Sequence, residues 1–140
     1  MKKLLSILIA TLCLTSIFVV SAETPIKVSV NDVPVTMDVH PVIENDRTLV
    51  PIRALIEALG GTVITWDADT ATAHIQSERG DILSIQIGTK TLFMNGEAYP
   101  IDVPAKIIGD RTMVPLRVIS ETLKYDVEWI AETREIKITK

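Results

Sequence analysis

The chain has 140 residues, 14 Lys and Arg, 18 Asp and Glu, a formal charge of −4 and one cysteine. That length holds one compact domain or two very small ones. The acidic balance excludes nonspecific nucleic-acid binding, which needs a basic surface, and 47% hydrophobic with 23% charged residues excludes a disordered chain.

Met1-Lys2-Lys3 supplies a basic start, Leu4–Val20 an apolar run, and Val20-Ser21-Ala22 the end of that run. This order predicts a secretory signal peptide over residues 1–22, cut after Ala22, with an uncleaved anchor as the alternative. Cys13 follows Leu12 inside the run, whereas a lipid-anchored cysteine follows a small residue at its end. Cleavage leaves 118 residues without cysteine, and 12 cationic against 18 anionic side chains, or −6. The remainder, 23–140, is therefore an exported domain that uses no disulfide.

Past the leader, Ile26, Val28 and Val30 alternate as a strand. Asn31-Asp32 then turns into Val33, Val35 and Met37. Thr48–Val50 reads as a short strand running into a helix that Pro51 starts, because proline lacks only an N–H that is unneeded there. Ile52, Leu55, Ile56 and Leu59 form one apolar stripe at i, i+3, i+4 and i+7. Gly60-Gly61 stops the helix in a left-handed conformation. Strands follow at Ile64–Asp67 and Ala71–Ile75 around the turn Asp67-Ala68-Asp69-Thr70. A third runs through Leu83, Ile85 and Ile87, and Leu92–Met94 returns after Gly88-Thr89-Lys90. Thr112–Val114 leads into a second helix opened by Pro115, with Leu116, Ile119 and Leu123 as its stripe and no terminating glycine. Val127–Ile130 and Glu135–Thr139 close the chain.

An internal repeat organises these elements. Asp46-Arg47-Thr48-Leu49-Val50-Pro51-Ile52-Arg53 recurs as Asp110-Arg111-Thr112-Met113-Val114-Pro115-Leu116-Arg117, 64 positions later. Asn31, Asp38, Val39, Ile43, Glu57 and Leu59 also recur at that offset. Trp66, Ala68, Thr70 and Ile75 recur at 63, and 16 of 41 aligned positions are identical. Side-chain alternation sets Trp66 against Trp129 and Ile64 against Val127, so the extra residue is expected in the loop Gly60-Gly61-Thr62-Val63. The expected fold is α+β. Antiparallel sheets pack on two helices, built by internal duplication of a strand–helix–strand–strand unit. The halves span about 27–77 and 91–140, joined by a strand at 82–88, and each copy's strands lie against its own helix.

The stretch Asp46–Asp67 (DRTLVPIRALIEALGGTVITWD), echoed at Asp110–Trp129, resembles the copper amine oxidase N-terminal domain-like family, the stalk domain of secreted bacterial proteins. The resemblance covers 27–140, with departures at Lys124 for Gly and Ile130 for Asp. It implies an exported α+β module found beside surface or wall domains. It implies no catalytic residue, because copper and the quinone cofactor of the oxidases belong to a separate large domain.

The repeated residues are Asp46, Arg47, Thr48, Pro51, Arg53, Glu57 and Trp66 with Asp110, Arg111, Thr112, Pro115, Arg117, Glu121 and Trp129. Their first reading is structural. Arg47 and Arg111 sit where turns enter strands and suit tying down Asp side chains or carbonyls. Arg53/Glu57 and Arg117/Glu121 are i, i+4 pairs suited to anchoring helix to sheet. Trp66 and Trp129 are expected in the core; if exposed, they would suit stacking on sugars or peptides. His40 and His74 are expected on the surface, and a zinc site would need three or four convergent ligands. No Gly-x-Ser-x-Gly motif accompanies Ser29, Ser77, Ser84 or Ser120. The acids Asp67/Asp69 and Glu132/Glu135 flank turns, where Asp bonds its own backbone. No catalytic residue, metal site or cofactor is therefore expected. The expected function is a non-enzymatic exported binding or adaptor module, secreted or at the cell surface, whose partner is a cell-wall polymer or another extracellular protein. Nucleic acid is excluded, as is membrane contact after cleavage. A self-associating structural module and a small hydrolase are the alternatives.

Overall fold

The computed structural model describes residues 23–140, together with Ile17 and Val19. The expected signal peptide, Cys13 included, lies outside them apart from those two positions. Thirteen strands and two seven-residue helices follow. The first half contains β1 (Lys27–Val30), β2 (Val33–Pro34), β3 (Val42–Glu44), β4 (Arg47–Pro51), α1 (Ile52–Ala58), β5 (Thr62–Asp67) and β6 (Thr72–Gln76). After β7 (Ile82–Gln86) come β8 (Thr91–Met94), β9 (Glu97–Pro100), β10 (Lys106–Ile108), β11 (Arg111–Pro115), α2 (Leu116–Thr122), β12 (Asp126–Ile130) and β13 (Glu135–Thr139).

Tight turns make the hairpins. Asn31 and Asp32, Asn45 and Asp46, Asn95 and Gly96, and Gly109 and Asp110 each pair two positive φ angles. That geometry belongs to the two-residue turn whose twist matches the flanking strands, and Asn, Asp and Gly accept it most readily. Asp46 and Asp110 of the repeated motif are thus turn residues. The expected strands Thr48–Val50 and Thr112–Val114 are present within β4 and β11, while their partners β3 and β10 and the return strand β9 were not expected. Strands of three or four residues show too little alternation to register as periodic.

Three sheets result, in the orders β12-β13-β1-β2, β10-β11-β4-β3 and β5-β6-β7-β8-β9. All pairings are antiparallel except β1 with β13. The halves exchange hairpins. β1–β2 completes the sheet of β12–β13, and β8–β9 reaches the sheet of β5–β6 through β7. Each helix lies against strands of its own copy as expected, α1 on β4 and β5 and α2 on β11 and β12, and each also crosses to the other half, α1 on β11 and α2 on β4. The central sheet pairs β4 with β11 through Leu49↔Pro115, Val50↔Val114 and Pro51↔Met113, so Val50 faces the residue 64 positions later.

One core holds the layers together. It takes Val28, Ile136 and Ile138 from one sheet, Val50 and Val114 from the middle, and Ile75, Ile85 and Leu92 from the third. Leu55, Ile56, Leu116 and Ile119 add the helix stripes. Both helices begin one residue after their proline, which caps them with no side-chain bond. Both end alike: Gly60 N–H bonds Glu57 O at 3.0 Å, and Lys124 N–H bonds Glu121 O at 2.9 Å. Gly60 has φ +80° there and Lys124 +69°. The glycine suits that left-handed position and the lysine is strained in it.

The extra residue of the first half lies in β5, not in the loop before it. Val63 pairs Ile75 as Val127 pairs Ile138, and Trp66 pairs Ala73 as Trp129 pairs Ile136. Ile64 is left over, and the register shifts between Val63 and Thr65. The expected match of Ile64 with Val127 fails because a β-bulge accommodates one surplus residue without turning the following side chains over. Ile64 itself is exposed.

Candidate functional site

The exchanged topology brings the repeated residues together across the halves. Arg47 enters β4 from the Asn45-Asp46 turn and grips Asp102, with Nε donating to Oδ2 at 2.9 Å. Arg111 enters β11 from the Gly109-Asp110 turn and grips Asp38, with Nε donating to Oδ2 at 2.8 Å. Each arginine thus ties down the acid of the opposite half. The hydrogen bond from Arg111 holds the Asp38 carboxyl below its usual pKa, and Arg47 does the same to Asp102. Asp38 in turn raises Arg111. The partners are the recurring pair Asp38 and Asp102, whose identity 64 positions apart was the signal for them.

The helical arginines differ. Arg117 meets Glu121 at 3.1 Å and donates from Nη1 to the Val127 carbonyl at 3.2 Å, tying α2 to β12. Arg53 meets Glu57 at 3.6 Å. All four side chains are more than half exposed, so as isolated surface pairs they add little to stability.

Trp66 and Trp129 are not core residues. They are 41% and 42% exposed, on β5 and β12, each the edge strand of its sheet. Each lines a cleft where the two halves meet. The larger, of about 830 Å³, sets Asp46, Arg47 and Thr48 of the first half against Pro115, Arg117, Glu121 and Trp129 of the second. Ile43, Pro100, Val127 and Ile136 extend its apolar wall, and of these Pro100 and Ile136 have no identical counterpart in the repeat to mark them. The smaller, of about 180 Å³, sets Asp110, Arg111 and Thr112 against Pro51, Arg53, Trp66 and Ala73. Thirteen of the fourteen repeated residues line one cleft or the other, and Glu57 stands apart from both.

Other chemistry-bearing residues are scattered. His74 bonds Ser84 Oγ through Nδ1 at 2.8 Å. That is a base beside a nucleophile, but neighbouring β6 and β7 place the pair on a sheet face outside both clefts. Half-buried His74 is therefore not the free surface residue expected, whereas His40 is exposed. Asp67 Oδ1 accepts the Asp69 and Thr70 N–H groups at 3.0 and 3.4 Å, closing its own turn. The lowered pKa of Asp67 has Thr70 as its main cause. Among the described residues, no group of three or more His, Cys, Asp or Glu could hold a metal ion, and no helix is long and apolar enough to cross a membrane. The arrangement suits non-covalent binding in a cleft with an indole wall and two fixed ion pairs.

Comparison with known families finds that the family model of the copper amine oxidase N-terminal domain matches residues 29–138. No curated protein and no solved structure matches the chain.

Proposed function

The chain belongs to the copper amine oxidase N-terminal domain family, and from that premise we propose that it is an exported, non-enzymatic binding or adaptor module whose ligand surface is the larger inter-half cleft. The observation that carries this reading is the gathering of seven repeated residues, Trp129 among them, around one opening of about 830 Å³. Small-ligand sites fall in this size range and are concave, apolar and furnished with a few fixed polar groups. The match is to the N-terminal domain rather than the catalytic one.

Duplication of a strand–helix–strand–strand unit is part of the proposal. The pairing of Val50 with Val114 and the reciprocal bonds Arg47–Asp102 and Arg111–Asp38 support it. The basic and apolar leader before Ala22 supports export, with a cell-wall polymer or another extracellular protein as partner. Self-association through sheet edges is the second reading, favoured by the edge strands β2, β3, β5, β9, β10 and β12. Two edges are guarded, β5 by its bulge and β12 by Arg117 on the Val127 carbonyl.

Retention on isolated cell-wall material tests the function, with the Trp129→Ala variant as control. The proposal expects the parent chain to be retained and the variant to be lost. Equal retention of both would move the site elsewhere, and retention of neither, with no protein partner recovered, would refute the adaptor role. N-terminal sequencing of the exported chain should begin at Glu23.

A further inference from the structure

The chemistry of the larger cleft narrows what it takes. Arg47 and Asp102 form one ion pair on its wall, and Arg117 and Glu121 another. These four charges cancel in pairs, yet each group keeps hydrogen-bonding capacity beyond its partner, since a guanidinium carries five N–H donors and a carboxylate about four acceptor sites. Asp46 in the turn adds one further negative charge. An anionic ligand would meet that surplus and would have to displace a carboxylate from its arginine. A neutral ligand rich in hydroxyls meets donors and acceptors already held in place.

The wall between the ion pairs is apolar and includes Trp129, a residue 42% exposed beside the cross-strand Ile136. An indole accepts the flat C–H face of a ring. An extended peptide would engage the sheet differently, through main-chain bonds along the free edge of β12. Arg117 Nη1 already occupies the Val127 carbonyl there, at 3.2 Å. Recognition in this cleft is therefore left to side chains.

We infer that the larger cleft binds a short neutral oligosaccharide, one ring stacked on Trp129 and its hydroxyls shared between the Arg47–Asp102 and Arg117–Glu121 pairs. This rests on the reading of that cleft as the binding site. The smaller cleft, about 180 Å³ around Trp66, is too small for the same ligand and stays empty.

The chain's two tryptophans make the test direct. Trp66→Phe leaves Trp129 as the only indole and Trp129→Phe leaves Trp66. Each is titrated with neutral hexose and N-acetylhexosamine trisaccharides to roughly 10 mM, above the weak end of specific affinities. Emission and calorimetry are read together, with circular dichroism confirming the fold. A saturable emission change is expected in Trp66→Phe and none in Trp129→Phe. Trp129→Ala should bind about tenfold more weakly than the parent, the effect of losing a stacking platform. If Trp129→Ala does not fold, Glu121→Gln should weaken binding through a lost ion pair while leaving both indoles in place. A neutral trisaccharide that gives neither heat nor an emission change overturns the ligand class. Should a proline-rich or apolar peptide then saturate the Trp129 signal, the cleft reading survives and the saccharide does not. Silence towards both overturns the two together.

Discussion

Replacing Lys124 with glycine should make the protein more stable, although it removes a side chain. Lys124 follows the end of α2 with φ +69°, where Gly60 has +80° after α1. An L-residue held in the left-handed region costs roughly 1–2 kcal/mol. Glycine removes that strain and returns roughly 0.5–1 kcal/mol through the greater freedom of the unfolded chain. Loss of a cation near the helix C-terminus costs about 0.3 kcal/mol more. The Lys124 side chain is exposed, so no core packing is lost, and the balance favours the variant by about 0.5 kcal/mol. In a domain of this size that raises Tm by about 2 °C, within reach of scanning calorimetry. Gly60→Ala is the mirror experiment. Its new Cβ would lie 3.2 Å from Glu78 Cδ, the end of a flexible side chain, so its cost is mainly backbone strain and Tm should fall. If Lys124→Gly lowers Tm, or Gly60→Ala raises it, left-handed strain is not what distinguishes the two helix ends.

Tyr125→Phe removes a buried hydroxyl that donates to the Leu59 carbonyl at 3.0 Å. It should cost about 1–2 kcal/mol, seen as a lower urea midpoint at unchanged m. Ser120→Ala should be neutral or stabilising by up to about 1 kcal/mol in the same assay, because among the described residues its buried hydroxyl has no partner. Asp38 and Asp102 have lowered pKa values in the folded state. The unfolded chain therefore binds more protons at acid pH, and the stabilisation, complete above about pH 4 to 5, is lost as pH falls through the folded-state values. A parent chain whose stability falls no more steeply below about pH 4 than that of the Asp38→Asn, Asp102→Asn double variant would rule this out. Arg117→Ala uncovers the Val127 carbonyl on the β12 edge and should produce concentration-dependent association in sedimentation velocity. A variant that stays monomeric at every concentration would show that the edge needs no guard.

The local elements were largely legible in the residues, and their partners were not. The stripe Ile52, Leu55, Ile56 and Leu59 carries the helical period itself, and all four residues are buried. Alternation marked β6, β7, β8 and β13 for the same reason. The turn pairs Asn45-Asp46, Asn95-Gly96 and Gly109-Asp110 held the signal for three further hairpins, with Asn-Gly the strongest of them. The bulge at Ile64 escaped because periodicity assumes one residue per register step, and a bulge spends two. The exchange of hairpins leaves no local mark, since the alternation of β1 marks a strand without naming its partner. The exposure of Trp129 left no local mark either. An edge strand's outer face is apolar or open according to what the rest of the chain lays beside it, so no reading of β12 alone could place the indole in a cleft.

The same exchange explains how matched halves can present unmatched surfaces. Matched residues build the walls of both clefts: Arg47 with Trp129 in one, Arg111 with Trp66 in the other. The differences lie in what is not repeated. Between β6 and β8 the chain inserts β7, whereas β13 pairs β1 directly. β5 carries a bulge next to its tryptophan, whereas β12 runs without one and is capped by Arg117. Side-chain size runs against the observed volumes, since the smaller cleft has Ala73 where the larger has Ile136. At that matched position, therefore, side-chain size does not account for the unequal openings. Matching halves held by reciprocal Arg–Asp bonds can thus share their strand and helix pattern and still form clefts of unequal size.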